Sequence, residues 1–218
     1  MPPPVKSIYV DTVEGCQAAV KDMSSRDAVA VDLEGIEMRR DSVCIVQLGD
    51  VDVIYLIDIV ALGEEAFEQG GLRQFLEDPA IKKLVYDCRY DAVCLAKQHN
   101  TILANPRDLQ VSFVFKIGNA RMRYLPGFRR ALEDMEFASE SEREAASKVK
   151  RQGFDIFSPG GEEVDPMFAY EKWFKRPLDP VLVEYAAMDV RHMMSLYNQW
   201  KDVLPDAVLK GFSELRCQ

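Results

Sequence analysis

The stretch "AVAVDLEGIEMRR", residues 28–40, begins as a buried strand and then runs into two acids, Asp32 and Glu34. Side chains alternate between the two faces of a strand, so residues two apart share a face. Ala28, Ala30, Asp32 and Glu34 therefore point one way, and Val29, Val31 and Leu33 the other. Both faces open apolar, which predicts a central strand covered on both sides. Two carboxylates beside such a core are costly unless a basic side chain or a divalent cation compensates them. For a single D-x-E, an ion pair is the simpler account.

Working outward, "KSIYVDT" reads as a short strand and "VEGCQAAVKDMS" as the helix after it. Strand patterns at 28–34, 43–48 and 53–58 follow one another through short links, so antiparallel neighbours are expected. The period then changes. "LRQFLEDP" is helical and stops before Pro79, "IKKLVYD" is a strand, and "CRYDAVCLAKQHN" is an amphipathic helix. "NPRDLQVSFVFKIG" suggests a short strand entering a helix, and beyond about residue 124 the pattern is helices and loops. A meander followed by alternating helices and strands gives an α/β fold: a mixed sheet with helices on both faces. The charge-rich "ESEREAASKVKRQG" (140–153) has weak periodicity and reads as an exposed helix, with "FSPGGEEVDP" a turn after it.

The chain has 218 residues, 48% of them hydrophobic and 29% charged, which suits a single soluble domain spanning 1–218. No apolar run reaches membrane-spanning length, and "MPPPVKSIYVDT" lacks the apolar core of a secretory signal. Five cysteines without a CxxC pair point to reduced thiols and an intracellular protein, cytoplasmic or nuclear rather than secreted. The net charge of −9 argues weakly against nucleic-acid binding, because phosphate contacts need Lys and Arg. Basic pairs nevertheless recur, at Arg39-Arg40, Lys82-Lys83, Arg121/Arg123, Arg129-Arg130 and Lys148/Lys150-Arg151, and solvated faces are the simplest account of them. Acids gathered in a metal site also inflate the negative count without repelling a substrate once cations are bound.

Two further elements carry acids. In "YDCRYDAVCL" (86–95), Asp91 lies one turn into a helix, close to apolar Val93, Cys94 and Leu95, whereas Asp87 is the natural capping residue. In "LVEYAAMDVRHM" (182–193), Tyr185 and Asp189 are four apart and stack on the helical face shared with Leu182, Ala186, Met193 and Leu196. Each feature alone has a structural explanation. Together they place four acids and a tyrosine, from a strand and two helices, on faces that should be apolar. Four converging carboxylates cannot all stay ionised without countercharge. Two divalent cations spaced about 3.5–4 Å apart would supply it and create a phosphoryl-transfer site.

At this point the chain resembles the DEDD 3′–5′ exonucleases, in the branch of ribonuclease D and the Werner exonuclease, over about residues 8–201. "VAVDLEG…VCIVQLGD…YLIDI" is similar to the family's first motif, "KKLVYDCRYDAVCL" to its second, and "KRPLDPVLVEYAAMDVRHMMSLYNQW" to its third. Tyr185 four residues before Asp189 matches the tyrosine subclass; the histidine subclass would carry a histidine where Glu184 stands. "VYDCR" and "FDIFSPGGEEVDP…RPL" look most like eukaryotic exonuclease-domain proteins. Tyr86 stands where the family often has a histidine, and 135–165 departs from the usual ribonuclease D spacing.

The resemblance implies an RNase H-like fold with a five-stranded mixed sheet. It also implies metal-dependent 3′–5′ hydrolysis of single-stranded RNA or DNA with a free 3′ end, releasing nucleoside monophosphates. Asp32, Glu34, Asp91 and Asp189 would hold two cations, Mg²⁺ or Mn²⁺, and Tyr185 would orient the attacking water. Gly35, Arg39, Arg40, Arg89, Arg123 and Lys148 are candidate substrate contacts. Gln47 reads as a hydrogen bond to a neighbour, and Asp58 and Asp108 as caps of strand ends or turns. The competing account is a nuclease-fold adaptor that binds RNA or a protein partner without cutting. A third, an α/β domain with buried ion pairs and no site, needs basic residues at comparably buried positions, and the sequence offers none.

Overall fold

The computed structural model describes residues 5–35, 43–118, 125–157 and 171–218. The opening stretch forms β2 (Ala28–Glu34), and its neighbours in the chain are β1 (Lys6–Val10), β3 (Ile45–Gly49), β4 (Val53–Asp58), β5 (Lys82–Val85) and β6 (Pro106–Asp108). The spatial order is β1-β4-β3-β2-β5-β6. β2–β3 and β3–β4 are antiparallel, as the short links require, while β1–β4, β2–β5 and β5–β6 are parallel. β2 is therefore interior, with a neighbour on each side.

The sheet has six strands among the described residues where the resemblance implied five. The extra one, β6, is the short strand suggested by "NPRDL". It has three residues and ends where Asp108 caps the following helix by accepting from the N–H of Gln110 at 3.0 Å.

The helices are α1 (Val13–Met23), α2 (Ile59–Leu62), α3 (Glu64–Glu68), α4 (Leu72–Glu77), α5 (Arg89–His99), α6 (Leu109–Lys116), α7 (Phe128–Leu132), α8 (Glu140–Phe157), α9 (Pro180–Arg191), α10 (Met193–Trp200) and α11 (Asp206–Arg216). The alternation read from β2 sorts the two layers. Val29, Val31 and Leu33 pack with Cys16 and Met23 of α1, Phe67 of α3, Phe75 of α4 and Leu95 of α5. Ala28 and Ala30 pack with Phe113 of α6, Ala146 of α8, Leu182 and Ala186 of α9, and Trp200 of α10. Asp32 and Glu34 continue the second face, so the acids point at α9. Helix α11 covers the β6 edge: Ser213 Oγ accepts from the N–H of Asp108 at 2.7 Å, and Arg107 holds Asp206 with two bonds of 2.7 Å.

One sequence expectation fails here and another holds only in part. Lys83 is fully buried, not a solvated charge; its ammonium donates to the carbonyl of Asp78, and burial pushes its pKa down to about 8. Residues 140–153 form the expected helix and are mostly exposed, but not all round. Within α8, Ala146, Lys150 and Gly153 face inward, and this helix packs on α9. The inward stripe of α8 runs through Ala146, Val149, Lys150, Gly153, Ile156 and Phe157, so within 140–153 only Val149 marks it as a large apolar residue.

Candidate active site

Helix α9 is set in place by the segment before it. Asp179 caps it by accepting from the N–H of Val181 at 2.8 Å, with Pro180 in the first turn, where a missing N–H costs nothing. Arg176 forms a forked pair with Asp58 at the end of β4, at 2.6 and 2.5 Å, and Tyr9 of β1 donates to the same carboxylate at 2.7 Å. Asp58 is thus the cap of α2, as read, and also the anchor that ties the RPL segment to the sheet.

Thus anchored, α9 lays Asp189 over the C-terminal end of β2. Carboxylate oxygens of Asp32, Glu34 and Asp189 all lie within 4.8 Å of one another. Burial pushes the carboxyls of Asp32 and Glu34 well above the usual range, and the charge of Asp189 pushes each further. Asp91 is not part of this trio. It lies buried in the first turn of α5, where burial, then Asp87, Asp108 and Asp189, push its pKa up to about 8. Its charge also acts on Asp32, so it stands beside the trio. A cavity of about 200 Å³ is lined by Asp32 and Asp189 together with Asp87, Gln110 and Phe128.

Tyr185 is partly buried one turn before Asp189, among Trp173, Phe157 and Gly153. Burial raises its phenol pKa strongly, and the charges of Asp189, Glu34 and Asp32 add to the effect, so it stays a donor.

The feature that sequence reasoning missed is Lys150. Its Nζ donates to both oxygens of Asp189, at 2.5 and 2.6 Å, and lies 3.2 Å from the centre of the Tyr185 ring. The expectation that no basic residue is buried near the acids is therefore wrong for one acid of the four. The chosen candidate, Lys148, is exposed. Two residues along a helix is about 200°, so the two lysines take different faces, and only that geometry separates them in "SKVKRQG".

Other candidates are placed as follows. Gly35 adopts φ +78°, and a Cβ there would overlap Cys44, so glycine is required by the turn and by packing within the chain. The guanidinium of Arg89 is held by Asp87 at 2.6 and 2.9 Å. Asp87 itself makes no capping bond. It sits at φ +62°, bound to Arg89 and Arg216, and the N-cap of α5 is Cys88, which makes no side-chain capping bond. Arg39, Arg40 and Arg123 lie outside the described residues.

The residues present fit divalent cations. Three oxygen donors converge, as hard cations require, and one ammonium cannot neutralise them all.

The chain is similar to known proteins in sequence and in fold. A family model described as 3′-5′ exonuclease matches residues 7–114. The human piRNA biogenesis protein EXD1 is 29% identical over 82% of this chain and 33% of its own length. Ribonuclease D of Granulibacter bethesdensis is 25% identical over 81% of this chain and 37% of its own. The chain thus spans a third to two fifths of these relatives. The structure of Trypanosoma brucei RNase D in complex with GMP superposes with a TM-score of 0.76 at 25% identity, covering 97% of this chain and 63% of that one. The same trypanosomal protein in complex with RNA U12 gives a TM-score of 0.75 at 24% identity, covering 98% and 70%. With this RNase D nuclease fold, RNase H-like in its mixed sheet, and a 3′-5′ exonuclease match across the strands that carry the first acids, the chain is similar to the DEDD 3′–5′ exonucleases, in particular to ribonuclease D-like members and EXD1.

Proposed function

We propose that this chain removes nucleotides from the 3′ end of single-stranded RNA or DNA by hydrolysing the terminal phosphodiester. The observation that carries this reading is the convergence of Asp32, Glu34 and Asp189 within 4.8 Å, with Lys150 the one cation paired to them among the described residues. Asp32, Glu34 and Asp189 would hold one divalent cation, and Asp32 with Asp91 a second, Mg²⁺ or Mn²⁺. When bound, such cations lower the pKa of a water and stabilise the leaving oxyanion. Tyr185, kept protonated by burial and by its anionic neighbours, donates its O–H to orient that water, which is the role of the tyrosine subclass. Its pKa makes it a poor base, so it positions rather than deprotonates. Lys150, once released from Asp189, leaves a positive charge beside the site for a substrate phosphate. The complexes of the trypanosomal relative with GMP and with RNA support a nucleotide product and an RNA substrate.

The test is digestion of matched 5′-labelled RNA and DNA single strands with and without Mn²⁺. Stepwise shortening from the 3′ end that requires Mn²⁺, and that falls by orders of magnitude in Asp32→Asn and Asp189→Asn, is expected. Tyr185→Phe should lose less, because only water placement goes. Asp32→Asn protein that shortens the strand at the wild-type rate would refute the assignment.

One observation favours the adaptor reading: the Lys150–Asp189 pair neutralises an acid without any metal, as a non-cleaving site would need. An adaptor retains the labelled strand intact at saturating Mn²⁺.

A further inference from the structure

Gln47 is fully buried in β3, and neither its amide nitrogen nor its amide oxygen has a hydrogen-bond partner among the described residues. A buried amide with both atoms unsatisfied is costly, and native proteins keep one where it serves a purpose. The surrounding strand is otherwise apolar at Ile45, Val46 and Leu48, so Leu or Met would pack there without that cost. The location is specific. In the β2–β3 ladder Gln47 stands directly opposite Asp32. Residues so paired share a face of the sheet, with Cβ atoms about 5 Å apart. Helix α9 closes over this face: a Cβ on Gly49, two residues along, would come within 3.0 Å of Val190. The amide is therefore confined beneath α9, beside the one acid assigned to both cations.

Resting on the cation reading above, we infer that Gln47 is a positioning residue for Asp32. Its Nε2–H donates to the Asp32 carboxylate when that carboxylate holds a divalent cation, fixing the orientation in which the ligand oxygens are offered. Groups that orient metal ligands in this way typically carry about 10- to 100-fold in metal affinity.

Calorimetric titration of the whole chain with Mn²⁺, paired with melting curves with and without Mn²⁺, tests this in Gln47→Met. Gln47→Leu is the second variant should the first not fold. The expected result is a metal-free Tm no lower than wild type, a Kd for Mn²⁺ raised at least tenfold, and a smaller rise in Tm on adding Mn²⁺. A Kd within tenfold of wild type, or a Tm lowered equally with and without Mn²⁺, overturns the inference while leaving the cation reading standing. Wild-type protein that takes up no Mn²⁺ overturns both.

Discussion

Asp189 can be neutralised in two ways that exclude each other. With both its oxygens accepting from Lys150, the carboxylate is compensated and tied to α8. To hold a cation it must give up that ammonium. The pair is about nine-tenths buried on each side, so deleting one partner leaves a desolvated charge, a loss of about 3–5 kcal/mol in such cases. Lys150→Met should therefore unfold at lower denaturant in metal-free buffer near neutral pH, with Mn²⁺ restoring much of the loss and binding more tightly than to wild type. Unchanged stability in metal-free buffer would show that the ion pair carries no weight.

At the scale of elements, α8 and α9 form the lid of the site. The contact depends on Gly153, where a Cβ would overlap the Tyr185 ring. Gly153→Ala should push α8 and Tyr185 apart and cost about 1–3 kcal/mol, read as a lowered Tm; an unchanged Tm would show that the helices yield without loss. A second expectation concerns the junction of α9 and α10. His192 is held neutral there, its pKa pushed down to about 4 by burial and then by Arg191. The unfolded chain takes up that proton near pH 6.5, the folded one only near 4. Stability should therefore fall as pH drops through that window, with a slope of at most about 1.4 kcal/mol per pH unit from this group. Urea melts of wild type and His192→Gln across pH 7 to 4 measure it; identical slopes would remove His192 as the cause.

These elements also show what the sequence disclosed and what it hid. The two-residue period of "AVAVDLE" gave the strand, its two faces and the side the acids take, and the four-residue spacing of Tyr185 and Asp189 gave their common helical face. Both are short-range periodicities, which survive in one dimension. Helix α8 is legible as a helix, but its inward stripe is not, because its most buried positions are Ala146, Lys150 and Gly153, none of which announces burial. Lys150 meets Asp189 across 39 residues, a pairing only the fold creates. The short strand read in "NPRDL" is β6, three residues that join the sheet along the parallel edge offered by Lys83–Val85 of β5.

For the whole molecule, the sheet brings residues distant in sequence to one place. β2 presents Asp32 and Glu34 at its C-terminal end, the parallel neighbour β5 leads into α5 and Asp91, and α9, tied down through Arg176 and Asp58, delivers Asp189 and Tyr185 from above. No helix among the described residues is long and apolar enough to cross a membrane. The central claim is that this convergence serves divalent cations rather than Lys150 alone. Anomalous diffraction from crystals equilibrated with Mn²⁺ tests it most directly. The account predicts a strong peak among the carboxylates of Asp32, Glu34 and Asp189, with Lys150 Nζ withdrawn from Asp189. No peak at saturating Mn²⁺, with Lys150 still bound to both oxygens of Asp189, would contradict it.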